Sequence, residues 1–259
     1  MLINSYRFGD ADANAYIAAV ETADGQALED NTRAAITAFV VGCKADGIWT
    51  AIKACCILAG ARTLAGALVP LVGTAPTNNN FVSLDYNRKT GLVGNGSTKY
   101  LNTNRNNNAD PQNSKHLSVY VSSATTSGGS IFPDYIGAGS SSSGASNIGR
   151  LNNNGGLYFH VNQGAAAIIS GVGGSIGLLA VTRSSSSTID YRVASATTNV
   201  AQISQAPISQ NTCVFADLSG VSVTAANGRL AFYSIGESLS LALLDTRVSA
   251  LITAINAAF

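Results

Sequence analysis

The chain of 259 residues is long enough for one large domain or two modest ones. Only 11% of its residues are charged, against roughly a quarter in an ordinary soluble domain, so Asn, Ser, Thr and Gly or neighbouring subunits must cover its surface. A net charge of +1 without clusters of Lys and Arg argues against nucleic acid binding. This composition favours a protein built into an assembly over a freely diffusing enzyme.

Alanine and apolar residues at helical spacing characterise the first 75 residues. Over residues 12–25 the apolar positions share one face, and Gly25 predicts the end of a helix. The same spacing predicts a second helix within 27–47 and a third over 48–61. Three short helices make a small core, which would gain stability by docking on another part of the chain.

No membrane span and no metal or cofactor site is predicted. The apolar stretch 48–73 contains Lys53 and Arg62, which leave runs well short of the ~20 residues that a helix needs to cross a bilayer. The four cysteines lack the spacing of metal ligands, and we interpret them as small buried apolar side chains in a reducing compartment. They are Cys43, Cys55, Cys56 and Cys213.

From Pro76 onward the composition changes to Gly, Asn, Ser, Thr and β-branched residues. Short runs of alternating apolar and polar residues lie between turn signals, which is typical of an antiparallel β-sandwich. One pair of runs, separated by the polar turn 183–188, predicts a hairpin. The predicted strands are 116–123, 157–161, 176–182, 189–193, 213–218 and 229–236.

The last twenty residues return to a helical pattern. Ser240 is a suitable N-cap, and the residues after it form an apolar stripe with a spacing of three and four. This stripe must lie on the sandwich, on the N-terminal helices or on a partner chain. We therefore predict a packing or oligomer contact through Leu244, Val248, Leu251 and Ile255.

The glycine-rich stretch GLVGNGSTKYLNT at 91–103 raises the question of phosphate binding. A phosphate-binding glycine loop lies between a strand and a helix. Here the residues after Gly96 alternate and lead into an Asn-rich loop, so no helix N-terminus faces the glycines. The stretch predicts a tight Asn-Gly turn between strands rather than a phosphate site.

The sequence contains no local catalytic motif. A retaining glycosidase needs two acids about 5 Å apart, and no two acids of the β region are spaced for one strand face. A pair assembled from different strands is left open. His116 and His160 have no companion residues of a nucleophilic triad. Five tyrosines suit either stacking on a sugar ring or packing in a core or interface: Tyr120, Tyr135, Tyr158, Tyr191 and Tyr233.

Several segments together resemble tailed-phage structural proteins that carry concanavalin A-like (laminin G-like) lectin domains. They are 2–9, 46–61, 92–103, 116–123, 178–193 and 229–255. The resemblance implies a jelly-roll sandwich of two antiparallel sheets and a place in a virion. The catalytic E-x-D-x-x-E strand of the glucanases with this fold is absent, because Glu237 is the only glutamate after Glu29. The calcium and sugar ligands of legume-type lectins do not map onto this chain either.

We therefore expect an α+β, mainly β, protein. Its predicted parts are an anchoring peptide (1–9), a helical region (10–75), a jelly-roll sandwich (76–239) and a C-terminal helix (240–259). The resemblance implies attachment to other phage structural proteins through the N-terminal peptide, with Tyr6, Arg7 and Phe8 as anchoring residues.

The expected function is that of a non-enzymatic structural component of a tailed phage particle, in a tail fibre, baseplate or head decoration. The expected location is the virion, after assembly in the host cytoplasm. Self-association is expected, with a trimer as the favoured form. One alternative is a module that binds a host surface glycan, and another is a glycan-degrading enzyme.

Overall fold

The computed structural model describes residues 9–126, 132–140, 142–151, 155–219 and 222–259. Two antiparallel sheets form a β-sandwich, with helices at both ends of the chain. The predicted fold, mainly β with an N-terminal helical region and a C-terminal helix, is confirmed. The helices are α1 (Ala11–Asp24), α2 (Asp30–Ala45), α3 (Leu64–Ala67) and α4 (Leu241–Ala257).

Sheet A contains eight strands in the order β13-β12-β11-β6-β17-β4-β3, with β1 paired to β17 beside this path. All its pairings are antiparallel. Its strands are β1 (Ile52–Ile57), β3 (Tyr86–Asn87), β4 (Gly91–Val93), β6 (Lys115–Ser123), β11 (Gly177–Arg183), β12 (Thr188–Val193), β13 (Ala196–Ala201) and β17 (Arg229–Gly236).

Sheet B contains nine strands in the order β10-β9-β8-β7-β14-β5-β2, with the hairpin β15–β16 beside β7. One pairing is parallel, between β16 and β7. Its strands are β2 (Thr77–Asn79), β5 (Tyr100–Asn106), β7 (Asp134–Ala138), β8 (Ala145–Arg150), β9 (Leu157–Gln163), β10 (Ala167–Ile169), β14 (Asn211–Val214), β15 (Ala216–Ser219) and β16 (Ser222–Ala225).

The ends of the helices follow their local sequence. Asp10 caps α1 by accepting hydrogen bonds from the backbone of Asp12 and Ala13, and Gly25 ends it in the left-handed conformation at φ 65°. The hydroxyl of Ser240 accepts from the backbone N–H of Leu243 at the start of α4. The predicted end of the first helix and the predicted cap of the last helix are both confirmed.

The predicted third helix over 48–61 is wrong, because residues 52–57 form β1 and pair with β17. Side chains of this segment alternate between two apolar cores: Ala54 and Cys56 point into one, and Cys55 and Ile57 into the other. A strand buried on both faces shows no apolar–polar alternation in its sequence. The apolar run therefore resembles a buried helix until its pairing is known.

Two hydrophobic cores hold the layers together. The first lies between the sheets and includes the predicted inward faces of β6 and β9, such as Val119 and Phe159. The second lies between sheet A and the helices α1, α2 and α4, where Phe39 and Phe232 make an edge-to-face contact at 5.7 Å. Sheet A is therefore covered on both faces. The outer face of sheet B lies on the side of the sandwich that points away from the helices.

The predicted hairpin is confirmed as β11–β12. The run predicted over 213–218 is interrupted at Phe215, which adopts a φ of 69° between β14 and β15. The glycine-rich stretch forms a turn between strands, with Gly96 at φ 73° and no helix after it. Because β4 belongs to sheet A and β5 to sheet B, this turn carries the chain from one sheet to the other.

Candidate functional site

A cleft of about 240 Å³ lies on the outer face of sheet B, where β7 to β10 run side by side. Ligand pockets for drug-sized molecules span roughly 300–1,000 Å³, so this cleft suits one ring-sized group. Its lining combines aromatic, aliphatic and uncharged polar side chains. The described lining residues are Phe132, Ser140, Asn147, Leu151, Tyr158, His160, Gly164, Ala166 and Ile168.

The register of the strands builds the cleft. In β9, Phe159 points into the core between the sheets, so its neighbours Tyr158 and His160 point outward. His160 lies opposite Asn147 of β8, and Tyr158 lies opposite Ile168 of β10. Two adjacent cross-strand rows thus bring together side chains that are up to 21 positions apart in sequence.

Two glycines on the same face leave room for the polar groups beneath the cleft. A Cβ at Gly149 would lie 2.3 Å from the Cζ and Oη atoms of Tyr158, so the phenol ring covers this glycine. A Cβ at Gly137 would lie 2.8 Å from Oδ2 of Asp217. Any larger residue at either position would displace the side chain above it.

Three rings form a continuous run along the cleft. Phe132 meets Tyr158 edge to face with ring centroids 6.2 Å apart, and Tyr158 meets His160 at 6.0 Å. Phe132 is 45% exposed and Ile168 is 57% exposed, so both present apolar surface to solvent beside the buried histidine. The cleft therefore offers an apolar edge together with a polar floor.

The hydrogen bonds of His160 define its tautomer. The side-chain amide N–H of Asn147 donates to the carbonyl oxygen of Ser140 at 3.0 Å, so the amide oxygen of Asn147 faces Nδ1 of His160. Nδ1 therefore carries the proton, and Nε2 presents a lone pair. Within the described part of the chain, Nε2 has no hydrogen-bond partner. Burial lowers the pKa of His160 to about 4, so the ring is neutral at pH 7.

Two buried aspartates support the cleft from below. Asp134 accepts hydrogen bonds from the hydroxyls of Tyr158 at 2.8 Å and Thr224 at 2.6 Å. Asp217 accepts from the backbone N–H of Gly139 at 3.0 Å. Burial, together with the negative charge of Asp217, raises the pKa of Asp134 well above its usual range. The two acids come together from β7 and β15, but they are only 1% and 0% exposed.

The sequence-predicted residues fall in several places. The apolar stripe of α4 packs within the chain, against α2 and the outer face of sheet A, and its members are at most 2% exposed: Leu244, Val248, Leu251 and Ile255. Of the five tyrosines considered for stacking, Tyr158 is the one that lines the cleft. The proposed anchoring residues Tyr6, Arg7 and Phe8 lie outside the described residues.

The cysteines and the helices bear on metal binding and on membrane crossing. All four cysteines are buried and free. The ranges described above contain no group of three or more His, Cys, Asp and Glu side chains placed to hold a metal ion. In those same ranges, no helix combines the length and the apolar character that crossing a membrane requires.

The remaining cleft residues carried no signal in the linear sequence. Phe132, Ser140, Asn147 and Ile168 belong to no motif, and only the pairing of four strands brings them together. Alternation along β9 identifies Tyr158 and His160 as outward-facing, but it does not reveal which side chains lie beside them.

Comparisons with solved structures define the class as a two-sheet β-sandwich. The binding domain of botulinum neurotoxin serotype D is 10% identical, and the match covers 77% of this chain and 51% of that one, with a TM-score of 0.51. The receptor binding domain of botulinum neurotoxin C/D mosaic serotype is 8% identical, covering 78% and 51%, with a TM-score of 0.50. The likeness at this identity concerns the fold alone.

A third solved structure is the enzymatically active domain of bacteriophage CBA120 tailspike protein 2. It is 12% identical, and the match covers 71% of this chain and 30% of that one, with a TM-score of 0.41. This chain thus spans about half the length of the two neurotoxin domains and under a third of the tailspike domain. No family model matches the chain, and no curated protein does.

Proposed function

We propose that this protein is a non-enzymatic carbohydrate-binding module that uses the cleft on the outer face of sheet B. The observation that carries the proposal is the pairing of an aromatic and aliphatic edge with a polar floor in a cleft of about 240 Å³. A sugar ring has an apolar C–H face and a rim of hydroxyls, so it needs both kinds of surface. Phe132 and Ile168 would contact the C–H face, and His160 would accept from a hydroxyl.

The fold of the neighbours supports a binding role. The two neurotoxin domains with TM-scores of 0.50 or more are named as binding domains, one of them as a receptor binding domain. Each of the two is named as a domain of a neurotoxin. An attachment role for the present chain is consistent with that arrangement and with its low content of charged residues.

The burial of the acids favours binding over hydrolysis. A glycosidase needs its acid and its nucleophile at the substrate, whereas Asp134 and Asp217 lie beneath the cleft and engage Tyr158, Thr224 and backbone N–H groups. An assay of polysaccharide cleavage with the full chain should therefore give no product above background. Release of reducing sugar that disappears in Asp134→Asn would overturn the non-enzymatic assignment.

Binding is tested with a glycan array followed by titration calorimetry on the strongest hits. Phe132→Ala should weaken binding about tenfold, equivalent to about 1.4 kcal/mol, because truncating an aromatic anchor removes most of its contact. Leu84→Ala is the control, since Leu84 is 94% exposed and lines no part of this cleft. Equal binding by both variants would place the ligand elsewhere, and a blank array would refute the proposed function.

The place of this module in a tailed phage particle rests on the sequence resemblance, and it is proposed here as the context of the binding activity. Removal of residues 1–9 should abolish incorporation into particles while leaving the sandwich folded. Immunoblots of purified particles, with circular dichroism of the truncated chain, test both parts. Normal incorporation of the truncated chain would refute the anchoring role of Tyr6, Arg7 and Phe8.

A further inference from the structure

We infer that the cleft on sheet B selects an uncharged sugar unit and excludes sugars that carry a carboxylate. This inference rests on the proposed carbohydrate-binding function and specifies its ligand class. Three features support it: the absence of a counter-charge in the described lining, the acceptor that His160 presents, and the two acids beneath the floor.

The first feature is the charge of the lining. None of the nine described residues that line the cleft is a Lys, Arg, Asp or Glu. A carboxylate that enters such a cleft loses part of its hydration and gains no cation in return, which is costly. An uncharged hydroxyl or acetamido group loses much less on entry. The lining therefore favours uncharged sugars over acidic sugars, because the acidic sugars lose more hydration free energy on entry.

The nearest basic residue along β8 does not supply the missing charge. Arg150 lies three residues after Asn147, so the alternation of the strand directs it to the opposite face. One of its guanidinium N–H groups donates to the backbone oxygen of Thr125. Its charge acts on Tyr135 in the core between the sheets, where it lowers the pKa of that phenol against the larger effect of burial.

The second feature is the direction of hydrogen bonding. Because Nδ1 of His160 donates to Asn147, its Nε2 can only accept. A sugar hydroxyl has a proton to donate to this nitrogen. A carboxylate has none, so its oxygens and the nitrogen lone pair would repel each other. The same side chain that favours a hydroxyl therefore rejects an acid group.

The third feature is the negative charge that Asp134 and Asp217 can carry beneath the cleft. Tyr158 links the cleft to Asp134 through a 2.8 Å hydrogen bond, and Asn147 links it to Asp217. Whenever either aspartate is ionised, its negative charge lies behind the floor and adds to the repulsion of an anionic ligand. The first two features do not depend on the aspartates. Burial raises the pKa of both acids, and the third feature adds to the first two only where one of them is ionised.

The experiment compares glycans with and without a terminal acidic sugar. The full chain is applied to an array on which each neutral glycan is paired with the same glycan extended by N-acetylneuraminic acid, and each glucose-containing glycan with its glucuronic acid counterpart. Binding is expected on the neutral members, and it should fall at least about tenfold on the acidic partners. Preference for the acidic members would overturn the inference and leave the carbohydrate-binding function intact.

The second arm of the experiment adds a positive charge at the rim of the cleft. Ile168→Lys places a cation beside the cleft at a position that is 57% exposed, so the fold should be retained. The substitution also removes an apolar contact, so the readout is the ratio of acidic to neutral binding, which should rise about two- to fivefold, the range of a solvent-exposed ion pair. Leu84→Lys adds the same charge at a position that is 94% exposed and lines no part of the cleft, so it should leave the ratio of acidic to neutral binding unchanged.

The outcomes of the two arms separate the inference from the proposed function. An unchanged ratio in Ile168→Lys, or an equal rise in both lysine variants, would refute the role of lining charge. If the unmodified chain binds no glycan on the array, the proposed function itself is refuted. Selective binding of neutral glycans, combined with a shift in the ratio for Ile168→Lys alone, supports both.

Discussion

The outer faces of the two sheets carry one buried histidine each, and the two residues have different surroundings. His116, on β6 of sheet A, is 0% exposed, and both its ring nitrogens have partners: the backbone oxygen of Glu237 at 2.6 Å and the hydroxyl of Ser234 at 3.0 Å. His160, on β9 of sheet B, is 4% exposed and has a partner for Nδ1 among the described residues. Burial lowers the pKa of each to about 4.

The difference follows from what covers each face. Helices α1, α2 and α4 cover sheet A with apolar side chains, and His116 below this layer takes both its hydrogen-bond partners from the chain itself. Sheet B has no such layer over β7 to β10 in the described structure, and its outward positions carry Gly, Asn, Tyr and His. A covered face stabilises the fold, whereas an open face can keep one acceptor for a ligand.

The largest predicted effect tests the apolar contact between sheet A and its helices. Phe232→Ala should lower the free energy of unfolding by about 3–5 kcal/mol, because it leaves a cavity beside Phe39. Ile168→Ala on the open face of sheet B should change it by no more than about 0.5 kcal/mol. Urea denaturation of both variants measures the contrast. Similar losses at the two positions would contradict the division into a structural and a binding face.

The second prediction concerns the pH dependence of stability. The pKa of His116 is about 4 in the folded chain, against an ordinary value of 6.5 for histidine, so the unfolded state binds its proton first as the pH falls. Stability from this residue is therefore complete above about pH 6.5 and is lost between pH 6.5 and 4. At about 1.4 kcal/mol per pKa unit, the loss is on the order of 3 kcal/mol.

The control for this prediction is His116→Gln, measured by denaturation at several pH values. The amide can donate to the Glu237 oxygen and accept from Ser234, but it does not titrate. The variant should therefore lose less stability between pH 6.5 and 4 than the parent chain. An identical pH profile would show that His116 does not carry this dependence.

The third prediction tests the floor of the cleft. Gly149→Ala should displace the ring of Tyr158, because the new Cβ would lie 2.3 Å from its Cζ and Oη atoms. Overpacking of this kind costs about 1–3 kcal/mol, and glycan binding should fall with it. Gly174→Ala is the matched control, since a Cβ at Gly174 has no atom within 4 Å. Unchanged stability and binding in Gly149→Ala would contradict the described position of Tyr158.

The smallest predicted effect tests the cap of α4 over sheet A. Ser240→Ala should lower the free energy of unfolding by about 1 kcal/mol, because the backbone N–H of Leu243 loses its acceptor. Ser186→Ala, at an exposed position in the turn between β11 and β12, should have no measurable effect. Thermal unfolding of the two variants provides the comparison. Equal midpoints would indicate that the cap does not contribute to the docking of the helix.

Much of the fold could be predicted from local patterns. The alternation in β6 and β9, the polar turn of the β11–β12 hairpin and the cap of α4 each depend on residues close in sequence. The segment that became β1 was predicted wrongly, because both its faces are buried and its partner β17 lies about 180 residues further along the chain. The break at Phe215 also escaped prediction, since nothing nearby requires a φ of 69°.

Local sequence patterns were enough to predict the class of the fold, the helices near each end of the chain and the outward orientation of His160. The neighbours of Tyr158 and His160 depend on how the strands pair. Strand register sets Asn147 beside His160, and the layer of helices covers one sheet while the other stays open. The physical reason is that periodicity reports which side of an element is buried, whereas a binding site depends on which elements become neighbours.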